Sequence, residues 1–167
     1  MKPLELIASA RRLIGGPARG RPRQTDLKRA ASTAYYAMFH AACRLVANAF
    51  VGSSGQQQAQ RAWSGQQQAQ RAWTQAYRGV DHGHVKDRCK NKSVIGRFPV
   101  PLQNFANTFV DLQILRHEAD YDPNKIVTRS GVIAEIDRAE QAIKDLRAVS
   151  NPDLRAFAVW IVTKERK

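Results

Sequence analysis

Apolar side chains recur at Leu27, Ala31, Ala34, Met38, Ala41 and Leu45, at successive spacings of 4, 3, 4, 3 and 4. That is the period of one face of an α-helix. Between Ala30 and Phe50 the other faces are apolar as well, through Tyr35, Tyr36, Phe39, Cys43 and Val46. A helix that is apolar nearly all round must be covered on several sides, at the centre of a bundle or at a subunit interface. Its alanines allow neighbours to approach closely. Thr25 is the expected N-cap, with Asp26 in the first turn. Whatever else the chain does, the rest of it has to pack around this segment.

The remaining segments read as helices that can do so. Residues 4–14 place Leu4, Ile7, Ala10 or Arg11, and Ile14 at helical spacing, and Gly15-Gly16-Pro17 stops them. Pro99 and Pro101 open another helix. Its stripe runs Leu102, Phe105, Phe109, Leu112 and then Arg116, and Asp122-Pro123 ends it. Ser130 is the expected cap of the next, with Val132, Ile136, Ala139, Ile143 and Leu146 stepping by 4, 3, 4 and 3. After Asn151-Pro152, Leu154, Phe157, Ala158 and Ile161 suggest a last short helix. No segment alternates with period two. The 167 residues fit one domain, long enough to bury roughly 68–70% of the unfolded chain's surface. The expectation is an all-α, up-and-down bundle of about five helices.

Residues 54–63 recur identically at 64–73. A ten-residue step turns a helix through 1000°, about 80° short of a whole number of turns, so Trp63 and Trp73 would face different ways on one continuous helix. Two copies of so short a unit do not make a repeat architecture. The stretch at about 52–76 reads as a variable insertion. The alternative is a base-stacking surface of Arg61, Trp63, Arg71, Trp73 and Tyr77. Residues 78–97 are basic and polar, with a short helix expected around Val85–Lys90.

The formal charge is +13 with a pI near 10.4. This exceeds the roughly 2–8 charges that solubility asks for and points to a polyanionic partner, of which nucleic acid is the commonest case. Eight basic residues lie in 1–30 and eight more in 61–97, whereas seven of the 14 acids fall between Asp111 and Glu140. The nucleic-acid-binding candidates are Arg61, Arg71, Arg78, Lys86, Arg88, Lys90 and Lys92. Cys43 and Cys89 form no Cys-x-x-Cys pair, so neither a zinc site nor a disulfide framework is expected. No cofactor motif occurs. Charges throughout the first 14 residues argue against a signal peptide, and no apolar run approaches the length of a membrane span. The expected compartment is the cytoplasm.

Two segments carry a more specific signal. They are Arg29-Ala-Ala-Ser-Thr-Ala-Tyr-Tyr-Ala-Met-Phe-His40 and Arg116-His-Glu-Ala-Asp-Tyr-Asp-Pro123. Together they resemble the HEPN superfamily (higher eukaryote and prokaryote nucleotide-binding), small helical domains of which many are ribonucleases. More narrowly, they look like a branch of small bacterial HEPN-like proteins with an Arg-x-x-Ala-Asp-Tyr motif. The resemblance implies a homodimer whose site is built across a twofold interface. It also implies metal-independent RNA cleavage, in which a His moves the proton of the ribose 2′-hydroxyl and an Arg stabilises phosphate charge.

Arg116 matches the first position. Tyr121 stands where the family's His is expected, and tyrosine, with a pKa near 10, is a poor base at neutral pH. The other candidates around Arg116 are Asp120, His117 and His40. Asp120 is spaced for an i, i+4 pair. His117 is adjacent but about 100° round the helix. His40 would have to face Arg116 across the bundle. In a purely structural reading, Arg116 pairs with Asp120 and Tyr121 packs its ring at the helix end. Arg78 and His84 also satisfy the Arg-to-His spacing, and Asp81, His82 and His84 could make half a metal site or part of a phosphate-binding loop. The leading function is RNA or nucleotide binding in a bacterial toxin–antitoxin or defence system. The alternatives are a toxin ribonuclease using Arg116, or a non-catalytic subunit paired with a nucleotidyltransferase-like antitoxin.

Overall fold

The computed structural model describes residues 2–15, 22–52 and 64–164, the side chains of 64–66 excepted. The described residues are all helical apart from turns and short connections, with no strand among them. Eight α-helices occur among the described residues. They are α1 (Pro3–Ile14), α2 (Gln24–Val51), α3 (Ser64–Arg78), α4 (His82–Lys90), α5 (Lys92–Ile95), α6 (Val100–Tyr121), α7 (Arg129–Asp145) and α8 (Asn151–Val162). A 3-10 turn, Leu146–Ala148, links the last two.

The five segments with clear helical periodicity are α1, α2, α6, α7 and α8. Three further helices lie in the polar region between α2 and α6; α4 covers the short helix expected around Val85–Lys90, whereas α3 and α5 were not expected. Their exposed faces are polar, so their apolar stripes are too sparse to read with assurance. Asp81 shows how α4 starts: its Oδ1 accepts the His84 N–H at 2.7 Å and caps the helix.

Helix α2 is the axis of the bundle. It packs against α1, α3, α6, α7 and α8. Ala30, Ala31, Ala34, Ala37, Ala42 and Ala47 are fully buried on several of its faces, with Tyr35, Met38, Cys43 and Val46 between them. Because most of these contacts end at a Cβ, the surrounding helices can sit close to the α2 backbone. Leu102, Phe105, Phe109 and Leu112 of α6 form its buried stripe and have no exposed surface. Each such side chain stabilises the fold by roughly 1.5–3 kcal/mol relative to leaving it in water. Phe157 of α8 closes this part of the core, edge-on to Phe98 and Phe105.

Two caps differ from the sequence reading. Helix α2 begins at Gln24 after Arg23, so Thr25 lies inside the first turn. Gln24 is not spent on capping: its side chain donates to the Val127 carbonyl at 2.9 Å and accepts the Val127 N–H at 3.0 Å. This clamp ties the start of α2 to the loop after α6. Thr128, rather than Ser130, caps α7, its hydroxyl accepting the Gly131 N–H at 3.1 Å. A Cβ at position 131 would come within 2.9 Å of that hydroxyl, which is why glycine suits the position.

Of the duplicated segment, the second copy lies in α3 while the first is outside the described residues. Helix α3 is anchored on α2. The Trp73 indole N–H donates to Asn48 Oδ1 at 2.9 Å, and Trp73 and Tyr77 stack with ring centroids 5.0 Å apart. No helix among the described residues is long and apolar enough to cross a membrane.

Candidate functional site

Helical spacing puts Ser32, Tyr36 and His40 in one row of α2, with Tyr35 and Phe39 in the row beside it. This face meets the last turns of α6 and the start of α4. Gln113, Arg116 and Asp120, at i, i+3 and i+7, form the facing row of α6.

Asp120 joins the two helices. Its Oδ1 accepts the Ser32 hydroxyl at 2.8 Å, and its Oδ2 lies 2.7 Å from Arg116 Nε. The Arg116 Nε–H is buried but is not aimed along a hydrogen bond, so the pair is held by charge proximity more than by directed bonding. The guanidinium carbon lies 5.9 Å from the Tyr36 ring centre and 5.6 Å from that of Tyr121, both within cation–π range. The Arg116 Nη2 reaches the Tyr36 hydroxyl at 3.5 Å, the outer limit of a hydrogen bond. Burial opposes the charge of Arg116, but Tyr36, Asp120 and Tyr121 outweigh it and hold the group above its ordinary pKa. About a quarter of the Arg116 side chain remains exposed. So are the rings of Tyr36 and Tyr121, at 37% and 65%. Tyr121 is therefore not packed at the helix end as the structural reading expects.

The histidine on this face is His82, from the first turn of α4. Its ring lies flat on Phe39, with centroids 3.6 Å apart and planes 13° apart. Its Nδ1 is 2.6 Å from the Tyr35 hydroxyl. Its carbonyl accepts from Gln113 Nε2 at 3.3 Å, and its ring meets Tyr36 edge-on. Burial lowers the His82 pKa; Asp81 opposes this shift and Arg116 adds to it. The surroundings thus favour the neutral imidazole. Burial also pushes the Tyr35 phenol well above its ordinary range, so Tyr35 keeps its proton. Where Tyr35 donates to Nδ1, Nε2 carries the ring proton; where Nδ1 donates to Tyr35, Nε2 is a free acceptor. Beside this ring the buried Oε1 of Gln113 has no hydrogen-bond partner.

Arg116, Asp120 and Tyr121 come together as the sequence suggests, and the expected Arg116–Asp120 pair forms. His117 is exposed, its ring 4.9 Å from Tyr121. His40 turns to α3, its Nδ1 bonded to the Tyr77 hydroxyl at 2.5 Å. Burial lowers its pKa, and His82 contributes in the same direction.

The Asp81, His82 and His84 trio divides among three tasks: Asp81 caps α4, His82 faces Tyr35, and the His84 Nε2 lies 3.1 Å from the Thr163 carbonyl. No group of three potential metal ligands occurs among the described residues. Arg78 ends α3 and His84 belongs to α4, so their spacing does not place them on one helix face. Gln113 was discoverable from its i, i+3 relation to Arg116. His82 was a candidate only together with Asp81 and His84; its place on this face was not legible, because it reaches the site from a different helix.

The basic candidates also separate. Arg71, Arg78 and Lys90 are exposed and Lys86 is half-buried, while Arg61 lies outside the described residues. Lys92 donates to Asn107 Oδ1. Arg88 stacks over the Trp160 ring at 3.3 Å and donates to the Trp160 carbonyl at 3.0 Å, while the Trp160 indole donates back to the Arg88 carbonyl. It clamps α4 to α8 and is not presented to a ligand. Trp73 and Tyr77 are likewise engaged, in the stack that leads to His40. No protein-family model, curated protein or solved structure matches this chain.

Proposed function

We propose that this chain is a HEPN-like helical domain that binds RNA or a nucleotide at the Arg116 site, as a homodimer. The observation that carries the reading is the partly exposed Arg116 guanidinium between the exposed rings of Tyr36 and Tyr121. Such a site supplies a planar donor for phosphate and two faces for unstacked bases. Asp120 and Ser32 hold the arginine in place. The net charge of +13 favours the same class of ligand.

A second reading, metal-independent ribonuclease, is favoured by one observation. His82 has its pKa lowered by burial, is anchored through Nδ1, and lies edge-on to the Tyr36 ring that Arg116 also meets. In that reaction Nε2 takes the proton of the ribose 2′-hydroxyl. This requires the tautomer in which Nδ1 donates to Tyr35; the 2′-oxygen then attacks phosphorus, the P–O5′ bond breaks, the 5′-oxygen takes a proton from solvent water, and Arg116 stabilises the charge on the phosphoryl oxygens.

Wild type, Arg116→Ala, Arg116→Lys and His82→Gln should be incubated in EDTA with labelled single-stranded and transfer RNA, with binding and cleavage both recorded. Binding at low salt is expected to weaken about tenfold in Arg116→Ala, the size of one lost charge-assisted contact, and to recover partly in Arg116→Lys. Cleavage by wild type that disappears in His82→Gln, with binding retained, establishes the second reading. RNA affinity that is equal in wild type and Arg116→Ala removes the first reading, and an absence of cleavage by wild type removes the second.

A further inference from the structure

Away from the Arg116 face, α1, the C-terminal half of α2, the end of α7 and the first turns of α8 enclose a half-open cavity of about 740 Å³. That volume is in the range of small-molecule sites, roughly 300–1,000 Å³. Its floor is apolar: Leu4, Leu45, Ile143, Leu146 and Leu154 come from four helices and the 3-10 turn and are each only partly buried against the core. A lining of this kind leaves hydrocarbon surface without a partner, which an apolar ligand body would cover.

The rim is cationic. Lys2, Arg44, Arg147 and Arg155 surround the opening, and Glu5 is the one carboxylate in the lining. Glu5 is already paired with Lys2 at 3.1 Å. Arg147 and Arg155 are exposed and have no carboxylate partner among the described residues. The cavity thus joins a hydrocarbon floor to uncompensated positive charge at one mouth. A polynucleotide would leave the floor uncovered, and a neutral apolar molecule would leave the arginines unused.

We infer that this cavity is a binding site for a small amphipathic anion, with an apolar body on the leucine floor and a carboxylate or phosphate head between Arg147 and Arg155. The site shares no residue with the Arg116 cluster and does not depend on the function proposed for it. Asn48 lines the cavity and accepts the Trp73 indole N–H. Asn48 thus separates the cavity by one hydrogen bond from the stack that runs through Tyr77 to His40.

The test uses dodecanoate, dodecyl phosphate and the neutral dodecanol, titrated below their micellar concentrations into the full chain by calorimetry. Leucine and isoleucine methyl shifts are followed in parallel. Both anions are expected to saturate at one site, perturbing Leu154 and Ile143, with dodecanol at least tenfold weaker. The double variant Arg147→Gln/Arg155→Gln should lose about tenfold in affinity with an unchanged melting temperature. The control Arg78→Gln/Lys90→Gln, which removes two exposed charges elsewhere, should bind as wild type does. A difference between the two anions identifies the preferred head group. Equal binding of dodecanol, equal losses in the two double variants, or no saturation overturns the inference. The first would mean a greasy surface and the second a general attraction to a basic protein.

Discussion

The hydroxyl of Tyr35 and Nδ1 of His82 lie 2.6 Å apart across the interface of α2 and α4. Tyr35 is almost wholly buried and its ring also packs on Phe109, so it gives the histidine a fixed reference in the core. Tyr35→Phe keeps the ring and removes the bond. The variant should lose about 1 kcal/mol of stability, the usual net worth of one hydrogen bond, measured by urea denaturation. It should also free the tautomer of His82, visible as a change in its ring nitrogen shifts. An unchanged nitrogen spectrum would show that the short contact does not set the proton position.

His40 and His82 are both held below the ordinary histidine pKa, chiefly by burial. The unfolded chain, with histidine near 6.5, therefore binds these protons before the folded chain does. Stability from this source is fully present above about pH 6.5 and is lost as the pH falls through that value toward the folded-state pKa values. Urea midpoints at pH 7.5 and 5.5 should differ in that direction. The difference should shrink in His40→Gln and in His82→Gln, and a midpoint that rises on acidification would contradict the assignment.

What could be read from the sequence follows from how each contact is made. Of the stripe on α2, Leu27, Ala31, Ala34, Met38 and Ala41 are buried as the spacing requires and Leu45 is partly buried, while Leu102, Phe105, Phe109 and Leu112 are all buried. In both cases a single periodicity dictates the outcome. The Arg116–Asp120 pair was legible for the same reason, since both ends lie on one helix. The Ser32–Asp120 bond, the His82–Phe39 stack and the turn of His40 toward Tyr77 join helices whose relative position no local pattern records. Thr128 displaced Ser130 as a cap because an extended residue three places before a glycine could offer its hydroxyl to that glycine's N–H. Both residues have suitable side chains, and only the backbone path distinguishes them.

Arg88 illustrates how a basic residue can be structural. Its place over Trp160, with reciprocal bonds to the two backbones, attaches α4 and hence His82 to α8. Trp160→Phe keeps a ring face and removes the indole donor, so about 1 kcal/mol of stability should be lost. Arg88→Gln should lower the melting temperature while leaving the salt dependence of RNA binding as in wild type. The pair Lys86→Gln/Lys90→Gln should do the reverse, flattening the slope of log affinity against log salt at nearly constant stability. If Arg88→Gln alone flattened the slope, the side chain would be leaving Trp160 for the ligand.

The small residues of α2 set how near its neighbours can come. Ala34 has no exposed surface and sits at the middle of the central helix, one turn from Ala30, Ala31, Ala37 and Met38. Ala34→Leu adds apolar surface and keeps a good helix former, so propensity and hydrophobicity alone would predict a neutral or stabilising change. Close packing predicts the opposite, because the added carbons have no void to enter and must displace a helix, at a typical cost of about 1–3 kcal/mol. A larger urea midpoint for wild type than for Ala34→Leu is the expected result. Equal or greater stability of the variant would mean that the bundle holds unfilled space around its axis. In that case the alanines would not be what fixes the distance between the Ser32–Tyr36 row of α2 and Arg116.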